Sequence, residues 1–525
     1  MDDLQEKFYK NEAEKKSTKT KSPPPQGATG SGKVANCNFK DLSIAIMLLD
    51  PKRADEYTLW RDVIWAIGGS CDCDAKGLQI ALEFSEQCES KYDPDSVEEF
   101  YYKNEKRSNG LTFGSIVYWL KQDGTYNKFL ENKTKNFLYN EKNDTDVMIA
   151  NVFHTLFKET FVCAGVGDKR KKWYQFENHR WNECDDVVLH KEINTSLSQL
   201  YSEKANYHKW LAGNAVDEAE TEKQLKQEKN FRKIAHGLCV KTRNNSLVQQ
   251  LEVVFYKAKS QFYDLLDENK YLLGFENGVY DLATMEFRDG RPDDMITMST
   301  SYDYTSVTEK EIRDEILQFY ESIFGCKEVM RYNLIINSYH LCGDKYLEHF
   351  WIWTGRGRNG KGVLDQLLQH TYGGYSYPAD ITMFTTQKND ASKADPVLAK
   401  AKGKRIITSN EPDSKEKLIS SQLKKMSGND RIQARALYEA PIEFTLQAGI
   451  NLLCNDIPKF TSLKEAEAAR IKIIEFPYVF VENPKYPHEK RLNHGLKETF
   501  EDVRYRQQLM LLLLDYYTEY VFGKR

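Results

Sequence analysis

The stretch HFWIWTGRGRNGKGVLDQLLQHTYGG, from His349 to Gly374, decides the fold of this chain. Its aromatic and apolar start, Phe350 to Trp353, has the character of a β-strand. Residues 355–361 follow with the glycine spacing of a loop that binds phosphates, and residues 363–370 carry apolar side chains at helical spacing. A strand, a glycine-rich loop and a helix N-terminus are the elements that hold a triphosphate. The stretch therefore predicts a nucleotide site in an α/β domain.

The glycine-rich loop supplies the candidate ligands for the phosphates. Its backbone N–H groups would converge on the phosphate oxygens, and the dipole of the following helix would favour their negative charge. One lysine would reach the outer oxygens. The candidate nucleotide-binding residues are Gly355, Gly357, Asn359, Gly360, Lys361 and Gly362. Gly362 departs from the pattern, because a Ser or Thr hydroxyl that contacts Mg²⁺ normally stands there.

The composition indicates a soluble globular protein. Its 525 residues suggest roughly three or four domains, and 40% apolar with 29% charged residues are ordinary values for a globular chain. A net charge of −4 does not indicate nucleic-acid binding, although a basic channel inside an acidic surface would not show in that sum. The N-terminus has no apolar signal segment, and the longest aliphatic run, Leu509 to Leu514, is too short to span a bilayer. We therefore expect an intracellular protein with no membrane partner.

Three candidate core strands follow the loop along the chain. They span Arg405–Ser409, Gly449–Cys454 and Ile471–Phe476. The first two run into the polar segments 410–413 and 455–456. Open α/β sheets bind their ligands at the carboxyl ends of the strands. We therefore expect these polar residues to lie beside the glycine-rich loop.

Four residues are predicted to carry the chemistry. Lys361 would neutralise charge on the β- and γ-phosphates, and Glu411 would hold Mg²⁺, polarise the attacking water, or do both. Asn455 would orient that water against the γ-phosphate. Arg470 precedes the third strand and is predicted to act as an arginine finger on a neighbouring subunit, with an ordinary salt-bridge arginine as the alternative.

A basic segment between the first two of these strands, residues 421–435, is the candidate DNA contact. It contains two lysines, a Gly-Asn-Asp turn and two arginines, and we expect it to have a hairpin-like shape. A charge run of this kind is usually a solvated face, but on an ATPase ring it would grip the phosphates of a strand in a salt-dependent way. The candidate DNA-binding residues are Lys424, Lys425, Arg431 and Arg435.

Composition and periodicity divide the chain into six predicted segments. They are a disordered tail (1–38), a helical module (39–125), an α+β module (126–310), a helical connector (311–345), the ATPase core (346–480) and a C-terminal helical segment (481–525). In the tail, Gly27 to Val34 imitates the glycine-rich loop but has no strand before it and no apolar helix after it. The α+β module contains predicted hairpins at Trp173–Trp181 and at Tyr271–Asp281, the second with Asn277-Gly278 at its turn.

Five motifs carry a resemblance to a known family. They are, in chain order, GRGRNGKG, RIITSNEPD, KKMSGNDRIQARALY, LLCND and ARIKIIEFP. Together they resemble motifs A, B, B′, C and the arginine-finger region of superfamily 3 helicases, most closely the primase-helicase branch of poxviruses, other large DNA viruses, virophages and related phages and plasmids. Upstream, WYQFENHRW and YLLGFENGVYDL resemble the module that precedes the helicase in that branch, and parts of residues 57–116 resemble the C-terminal helical module of primases.

The resemblance implies both a fold and an activity. The implied fold is α/β, with an AAA+ P-loop ATPase core in the C-terminal half and mainly helical and α+β modules before it. The implied activity is ATP- and Mg²⁺-dependent unwinding by a hexameric ring that moves 3′ to 5′ on single-stranded DNA, during replication of a viral or mobile-element genome in its host. By motif position, Lys361 is the loop lysine, Glu411 the motif B acid, Asn455 the motif C residue and Arg470 the finger.

The family often carries a polymerase-type primase domain at its N-terminus. The 38 residues before the helical module are too few to fold such a domain. We therefore expect no primer synthesis by this chain and a separate primase or polymerase as its partner.

Two other functions stay open. A non-hydrolysing DNA-binding scaffold or loader would explain Gly362 as the mark of a decayed site, although Lys361, Glu411, Asn455 and Arg470 are all present. Another nucleic-acid motor, such as a packaging ATPase, would share the loop but not the order of the five motifs. ATP hydrolysis separates the helicase from the scaffold, and strand displacement on forked DNA separates it from other motors.

Overall fold

The computed structural model describes most of the chain. The described residues are 39–71, 73–88, 91–102, 111–126, 128–130, 132–133, 145–166, 170–385, 395–412, 416–435 and 441–523. The predicted tail with its loop at Gly27 to Val34 lies outside them, as does Asp413. The chain divides into two compact units, one formed by Met1–Leu156 with His190–Leu251 and the other by Phe157–Leu189 with Glu252–Arg525. The first unit therefore includes helices of the predicted α+β module, and the six predicted segment boundaries stay predictions.

The N-terminal part of the first unit is a bundle of short helices. Its helices are α1 (Phe39–Met47), α2 (Lys52–Asp55), α3 (Tyr57–Ser70), α4 (Ala75–Ser85), α5 (Pro94–Tyr102) and α6 (Phe113–Gln122). The rings of Tyr57 and Trp60 pack on Phe100 with centroids 6.0 and 5.3 Å away, so these aromatic residues make core contacts. Arg53 pairs with Asp123 at 2.7 Å where both side chains are nearly buried, and this ion pair joins α2 to the end of α6.

Further helices follow along the chain. They are α7 (Asp146–Phe157), α8 (Val187–Glu192), α9 (Ser198–Gly213), α10 (Glu218–Leu238) and α11 (Lys241–Val254), with a π-helical turn at Ile193–Leu197. Helices α9 and α10 pack side by side through an apolar stripe that includes Tyr201 and Phe231. Asp217 caps α10 by accepting from the backbone N–H of Glu220 at 2.6 Å.

The second unit begins with a four-stranded sheet. Its strands, in the order β3-β2-β1-β4, are β1 (Phe161–Gly165), β2 (Lys171–Glu177), β3 (Arg180–Cys184) and β4 (Tyr256–Lys257). Strands β2 and β3 form the hairpin predicted at Trp173–Trp181, which is confirmed. Its two turn residues, Asn178 and His179, have φ of 49° and 64°, as a two-residue turn between twisted strands requires.

A three-stranded antiparallel sheet follows. It consists of β5 (Leu272–Phe275), β6 (Gly278–Asp281) and β7 (Glu286–Arg288). The second predicted hairpin is present, but its turn, predicted at Asn277-Gly278, is wrong by one residue. Phe275 pairs with Gly278, so Glu276 and Asn277 form the turn. Gly278 belongs to the strand, where a Cβ would lie 2.7 Å from the carbonyl oxygen of Arg288.

A parallel five-stranded sheet forms the centre of the second unit. Its order is β14-β8-β13-β10-β9, so the strand before the glycine-rich loop lies between two strands that come later in the chain. The strands are β8 (Phe350–Thr354), β9 (Ser376–Pro378), β10 (Ile406–Asn410), β13 (Gly449–Leu453) and β14 (Ile471–Glu475). Two further pairs are β11 (Arg431–Ala434) with β12 (Ile442–Thr445), antiparallel, and β15 (Val479–Val481) with β16 (Glu489–Arg491), parallel. The predicted α/β fold class and its four predicted core strands are confirmed.

Helices cover both faces of this sheet. They are α12 (Lys310–Phe324), α13 (Lys327–Tyr339), α14 (Lys361–Tyr372), α15 (Thr382–Thr385), α16 (Pro396–Ala399), α17 (Ser420–Ser427), α18 (Glu465–Ala468), α19 (Leu496–Thr499) and α20 (Val503–Tyr520). On one face, Trp351 and Trp353 pack in a core with α14 and the leucines of α20. On the other face, Ile352 and Leu452 pack with Leu423 of α17. Burial on both faces explains why β8 is apolar throughout. No helix in the described part of the chain is long and apolar enough to cross a membrane.

Candidate functional site

The glycine-rich loop turns sharply between β8 and α14. Gly355, Arg358 and Gly360 have φ of 136°, 63° and 87°, in the region that favours glycine. A Cβ at Gly355 would lie 2.5 Å from the carbonyl oxygen of Phe476, and one at Gly360 would lie 2.5 Å from Cγ2 of Ile323. The fold of the loop therefore requires glycine at both positions.

The other two glycines of the loop are under no such constraint. A Cβ at Gly357 or at Gly362 would meet nothing within 4 Å. Gly362 is the exposed second residue of α14. A lack of space therefore does not explain why this position has no hydroxyl.

The side chain of Lys361 folds back onto the loop. Its Nζ donates to the carbonyl oxygen of Gly355 at 2.5 Å, and its backbone N–H donates to Oδ1 of Asn359 at 3.2 Å. Burial lowers the pKa of Lys361, while the nearby Cys454 and Glu411 act in the opposite direction. Asn359 is 3% exposed, and its Nδ2 has no hydrogen-bond partner among the described residues. The loop thus presents a buried donor and a poorly solvated ammonium, which an anion would satisfy.

The carboxyl ends of β8, β10 and β13 bring three predicted residues together. Asn455 joins them through its backbone. Its carbonyl oxygen accepts from the N–H of Gly355 at 3.3 Å, and its own N–H donates to Oε2 of Glu411 at 3.0 Å. The side chain of Asn455 is left exposed at the edge of the sheet. Lys361, Glu411 and Asn455 therefore surround one point beside the loop, and their catalytic roles stay predictions.

Arg470 lies at the amino ends of the strands, opposite the carboxyl ends that carry the loop. Its carbonyl oxygen accepts from Phe350 N–H at 3.0 Å, at the start of the strand whose other end is the loop. Five residues of strand separate the two ends by roughly 13–17 Å. The guanidinium forms an ion pair with Glu348 and donates to the carbonyl oxygen of Lys424 at 3.2 Å and to Oγ of Ser427 at 3.3 Å. Arg470 therefore does not join its own loop, and its role towards a neighbour stays a prediction.

The basic segment differs in shape from the predicted hairpin. Lys424 and Lys425 are exposed on α17, which forms because Leu423 and Met426 are buried at helical spacing. Gly428 to Asp430 then connect this helix to β11 instead of forming the tip of a hairpin. Strands β11 and β12 pair antiparallel, and residues 436–440 between them are outside the described residues. Arg431 opens β11, is exposed and lies 3.6 Å from Glu443.

A cavity of about 1080 Å³ lies beside the glycine-rich loop. The loop forms one wall, α12 a second, and residues 480–497 a third. No sequence pattern predicts this third wall, because the segment is polar, has only short strands and carries none of the five motifs. The cavity is therefore visible only in the folded chain.

A partly buried polar network under the loop was also not predicted. Asp365 lies one turn after Lys361 on α14, and Nε2 of Gln369 donates to Oδ2 of Asp365 at 2.8 Å and to Oγ1 of Thr408 at 3.2 Å. Burial raises the pKa of Asp365 to about 6, against hydrogen bonds from Thr408 and Gln369 that act to lower it. On β13, the side-chain amide of Asn451 is buried without a partner among the described residues. The spacing of Lys361 and Asp365 by one helical turn was the available signal.

Two family models match the chain. One is described as "Primase C terminal 2 (PriCT-2)" and matches residues 42–119, and the other is described as "D5 N terminal like" and matches residues 150–325. A protein of Acanthamoeba polyphaga mimivirus, provisionally named a helicase, is 31% identical over 492 residues, which are 90% of this chain and 50% of that protein. The chain belongs to the viral primase-helicase family. The resemblance that the five motifs indicated is thereby confirmed.

Other members of this family match over similar lengths. A protein of Invertebrate iridescent virus 6, also provisionally named a helicase, is 25% identical over 89% of this chain and 54% of its own length. A protein of African swine fever virus, provisionally named a primase, is 22% identical over 76% of this chain and 44% of its own length. The chain thus spans about half the length of these relatives. Among solved structures, the C-terminal region of NrS-1 matches with a TM-score of 0.40 at 12% identity, over 71% of this chain and 69% of that one.

The contrast between two loop glycines gives a test of the loop conformation. Gly360→Ala is expected to destabilise the second unit by more than about 1–2 kcal/mol, because its φ of 87° strains an L-residue and its Cβ would meet Ile323. Gly362→Ala is the matched control and is expected to be neutral or to stabilise by about 0.4–1 kcal/mol. Urea unfolding followed by tryptophan fluorescence measures both variants. Equal effects of the two substitutions would contradict the strained conformation of the loop.

Asp365 is expected to make the stability of the second unit depend on pH. Its pKa is about 6 in the folded chain against an ordinary 3.8, so the folded state binds the proton more tightly than the unfolded state does. Stability is therefore expected to fall as the pH rises from about 4 to about 6, by up to roughly 3 kcal/mol. Asp365→Asn should remove this slope in unfolding midpoints measured between about pH 4 and 7. An identical pH profile in the variant would show that the carboxyl group ionises normally.

Proposed function

We propose that this chain is an ATP-hydrolysing DNA helicase that assembles into a hexameric ring and moves 3′ to 5′ along single-stranded DNA to open forked duplex DNA. The observation that carries the proposal is the meeting of Lys361, Glu411 and Asn455 at one edge of a parallel sheet, beside a glycine-rich loop. Membership of the viral primase-helicase family supports it. The proposed setting is replication of a viral or mobile-element genome inside the host cell.

The loop residues fit the phosphates of ATP. The Nδ2 of Asn359 is a donor without a partner among the described residues, and the backbone N–H groups of the loop would add to it. Lys361 would exchange the carbonyl oxygen of Gly355 for phosphate oxygens, which regains for its ammonium the solvation that burial has removed. The dipole of α14 adds to the attraction.

Glu411 is the residue that would hold Mg²⁺, because Mg²⁺ prefers carboxylate oxygens and commonly keeps several waters. The fit is partial, since Gly362 offers no hydroxyl. When bound, Mg²⁺ neutralises charge on the phosphates. The Glu411 carboxylate would also polarise the attacking water, and the exposed amide of Asn455 would orient it. The water oxygen bonds to the γ-phosphorus as the bond from that phosphorus to the β–γ bridging oxygen breaks, and Lys361 offsets the charge that moves to the β-phosphate.

Residues at the amino ends of the strands are the ones that we assign to the contact with a neighbouring subunit and to the contact with DNA. Arg470 faces away from its own loop, which suits an arginine finger that acts on the nucleotide of a neighbouring copy. The same guanidinium binds the carboxyl end of α17, whose exposed Lys424 and Lys425 would hold DNA phosphates together with Arg431 and Arg435. A separate primase or polymerase would supply primers.

A second candidate function is a DNA-binding scaffold or loader that binds ATP without hydrolysing it. The missing hydroxyl at Gly362 is the observation that favours it. Its DNA-binding residues would be the same, and its ATP site would serve assembly only.

ATP hydrolysis with and without single-stranded DNA separates these two functions. The wild-type chain is expected to show turnover that DNA stimulates. Lys361→Ala and Glu411→Gln should each lower turnover by about a hundredfold or more, the first with loss of ATP binding and the second with binding retained. Glu465→Gln, at an exposed position of α18, is the matched control. Binding of ATP and DNA without turnover in the wild type would favour the scaffold, and turnover without strand displacement on a fork would favour another motor.

The salt dependence of DNA binding tests the basic segment. Each of Lys424→Ala and Lys425→Ala is expected to reduce the slope of log K against log salt by about 0.7, the value for one phosphate contact on a single strand. Lys464→Ala, at an exposed position in the same unit, should leave the slope unchanged. Titrations with a fluorescent oligonucleotide at several salt concentrations give the slopes. Slopes equal to the wild type in both α17 variants would place the DNA elsewhere.

A further inference from the structure

The cavity beside the loop is larger than the phosphates alone require. Its volume is about 1080 Å³, and sites that bury a whole small ligand commonly enclose roughly 300–1,000 Å³. The loop lines only one side of it, through residues such as Gly360 and Gly362. The remaining space is therefore available to the part of a nucleotide that extends beyond its phosphates.

The lining of this cavity is divided by chemistry. Apolar side chains come from Phe319 on α12, from Phe480 on β15 and from Leu492 just after β16. Unpaired positive charge comes from Arg358, Arg491 and Lys497, which are exposed and whose side chains have no ion pair or hydrogen bond among the described residues. An apolar region next to unpaired cations is the lining that suits an amphipathic anion.

The carboxylates of the same lining are already engaged. Glu482 pairs with His494 at 2.6 Å, and Glu315 accepts from the hydroxyl of Tyr505. Three cations, Arg358, Arg491 and Lys497, stand against these two carboxylates, so the lining has a net charge of +1 with His494 neutral, which a polyphosphate would balance.

The third wall is held to the loop by backbone hydrogen bonds. The N–H of Phe480 donates to the carbonyl oxygen of Arg358 at 2.7 Å. Strands β15 and β16 pair in parallel, and the N–H of Leu492 donates to the carbonyl oxygen of Val481 at 2.9 Å. These bonds place Arg491 and Leu492 at fixed positions relative to the loop, so the backbone and not only the exposed side chains defines this wall.

We propose that this third wall, residues 480–497, is part of the nucleotide site, in which Arg491 binds the phosphates of a nucleoside triphosphate and Phe480 with Leu492 packs against its nucleoside. This inference rests on the proposed function, because it assigns the phosphates to the loop. It adds a phosphate ligand from the same chain, on a segment that carries no sequence motif, and a reason for the site to prefer a nucleotide over a bare polyphosphate. Arg491 acts by contact with the substrate.

The test compares binding of ATP with binding of inorganic tripolyphosphate to the full chain. Arg491→Ala is expected to weaken both ligands about ten- to hundredfold, because a charge-assisted contact to phosphate is lost from each. Phe480→Ala is expected to weaken ATP about tenfold and to leave tripolyphosphate unchanged, because only ATP has a base to stack. Lys485→Ala, an exposed lysine of the same segment outside the cavity, should change neither. Displacement of a fluorescent ATP analogue gives all of these affinities.

The outcomes separate this inference from the proposed function. Loss of binding in Lys361→Ala with wild-type affinities in Arg491→Ala and Phe480→Ala would overturn the role of the third wall and leave the helicase proposal intact. Equal weakening of both ligands by Phe480→Ala would overturn the nucleoside contact. Arg491 is exposed, so its variant is expected to fold, and its thermal midpoint checks this. No binding of ATP by the wild type would overturn the ATP site itself.

Discussion

The parallel pairing of β8 with its two neighbours holds the candidate site together. Trp353 at the end of β8 pairs with Leu453 of β13 and Ile474 of β14. The ladder then continues past the strand ends, where the N–H of Cys454 donates to Trp353 at 2.9 Å and Gly355 donates to Asn455. The loop therefore leaves the sheet at a fixed point, and a slip of one residue would turn every side chain of β8 to the opposite face.

The amino ends of the same strands carry a second set of contacts. Arg470 binds Glu348 and the carbonyl oxygen of Lys424, while the buried Lys345 donates to the carbonyl oxygen of Met426. Both side chains thus donate hydrogen bonds to the last carbonyl groups of α17, where the helix dipole is negative. Under the proposed function, an Arg470 that turned to the phosphates of a neighbour would give up a contact with the helix that carries the DNA-binding lysines. The strands would then connect ATP hydrolysis at their carboxyl ends to DNA binding at their amino ends.

Local patterns decided what the sequence could predict. The strand, loop and helix around Lys361 were predictable because apolar periodicity and glycine spacing lie within one continuous stretch. The turn at Gly278 was predicted one residue too late. That position requires glycine because β7 approaches its backbone closely, and this contact cannot be seen in the residues of the turn itself. The basic segment forms a helix where a hairpin was predicted, because Leu423 and Met426 are buried at helical spacing beside its charged residues. The wall at residues 480–497 and the environment of the partly buried Asp365 depend on tertiary contacts, which no local pattern encodes.

Glycine in place of Ser or Thr at position 362 changes the chemistry of the loop and not its conformation. Space around it is open, so no packing demand removed the hydroxyl. A hydroxyl is one ligand among the six that Mg²⁺ takes, and water readily fills such a position, whereas the charge of Lys361 and the carboxylate of Glu411 have no substitute in solvent. A site that keeps both charged groups and loses the hydroxyl has therefore lost the ligand that water replaces best. This ordering of costs is the physical reason to expect hydrolysis from a loop that departs from its pattern at Gly362.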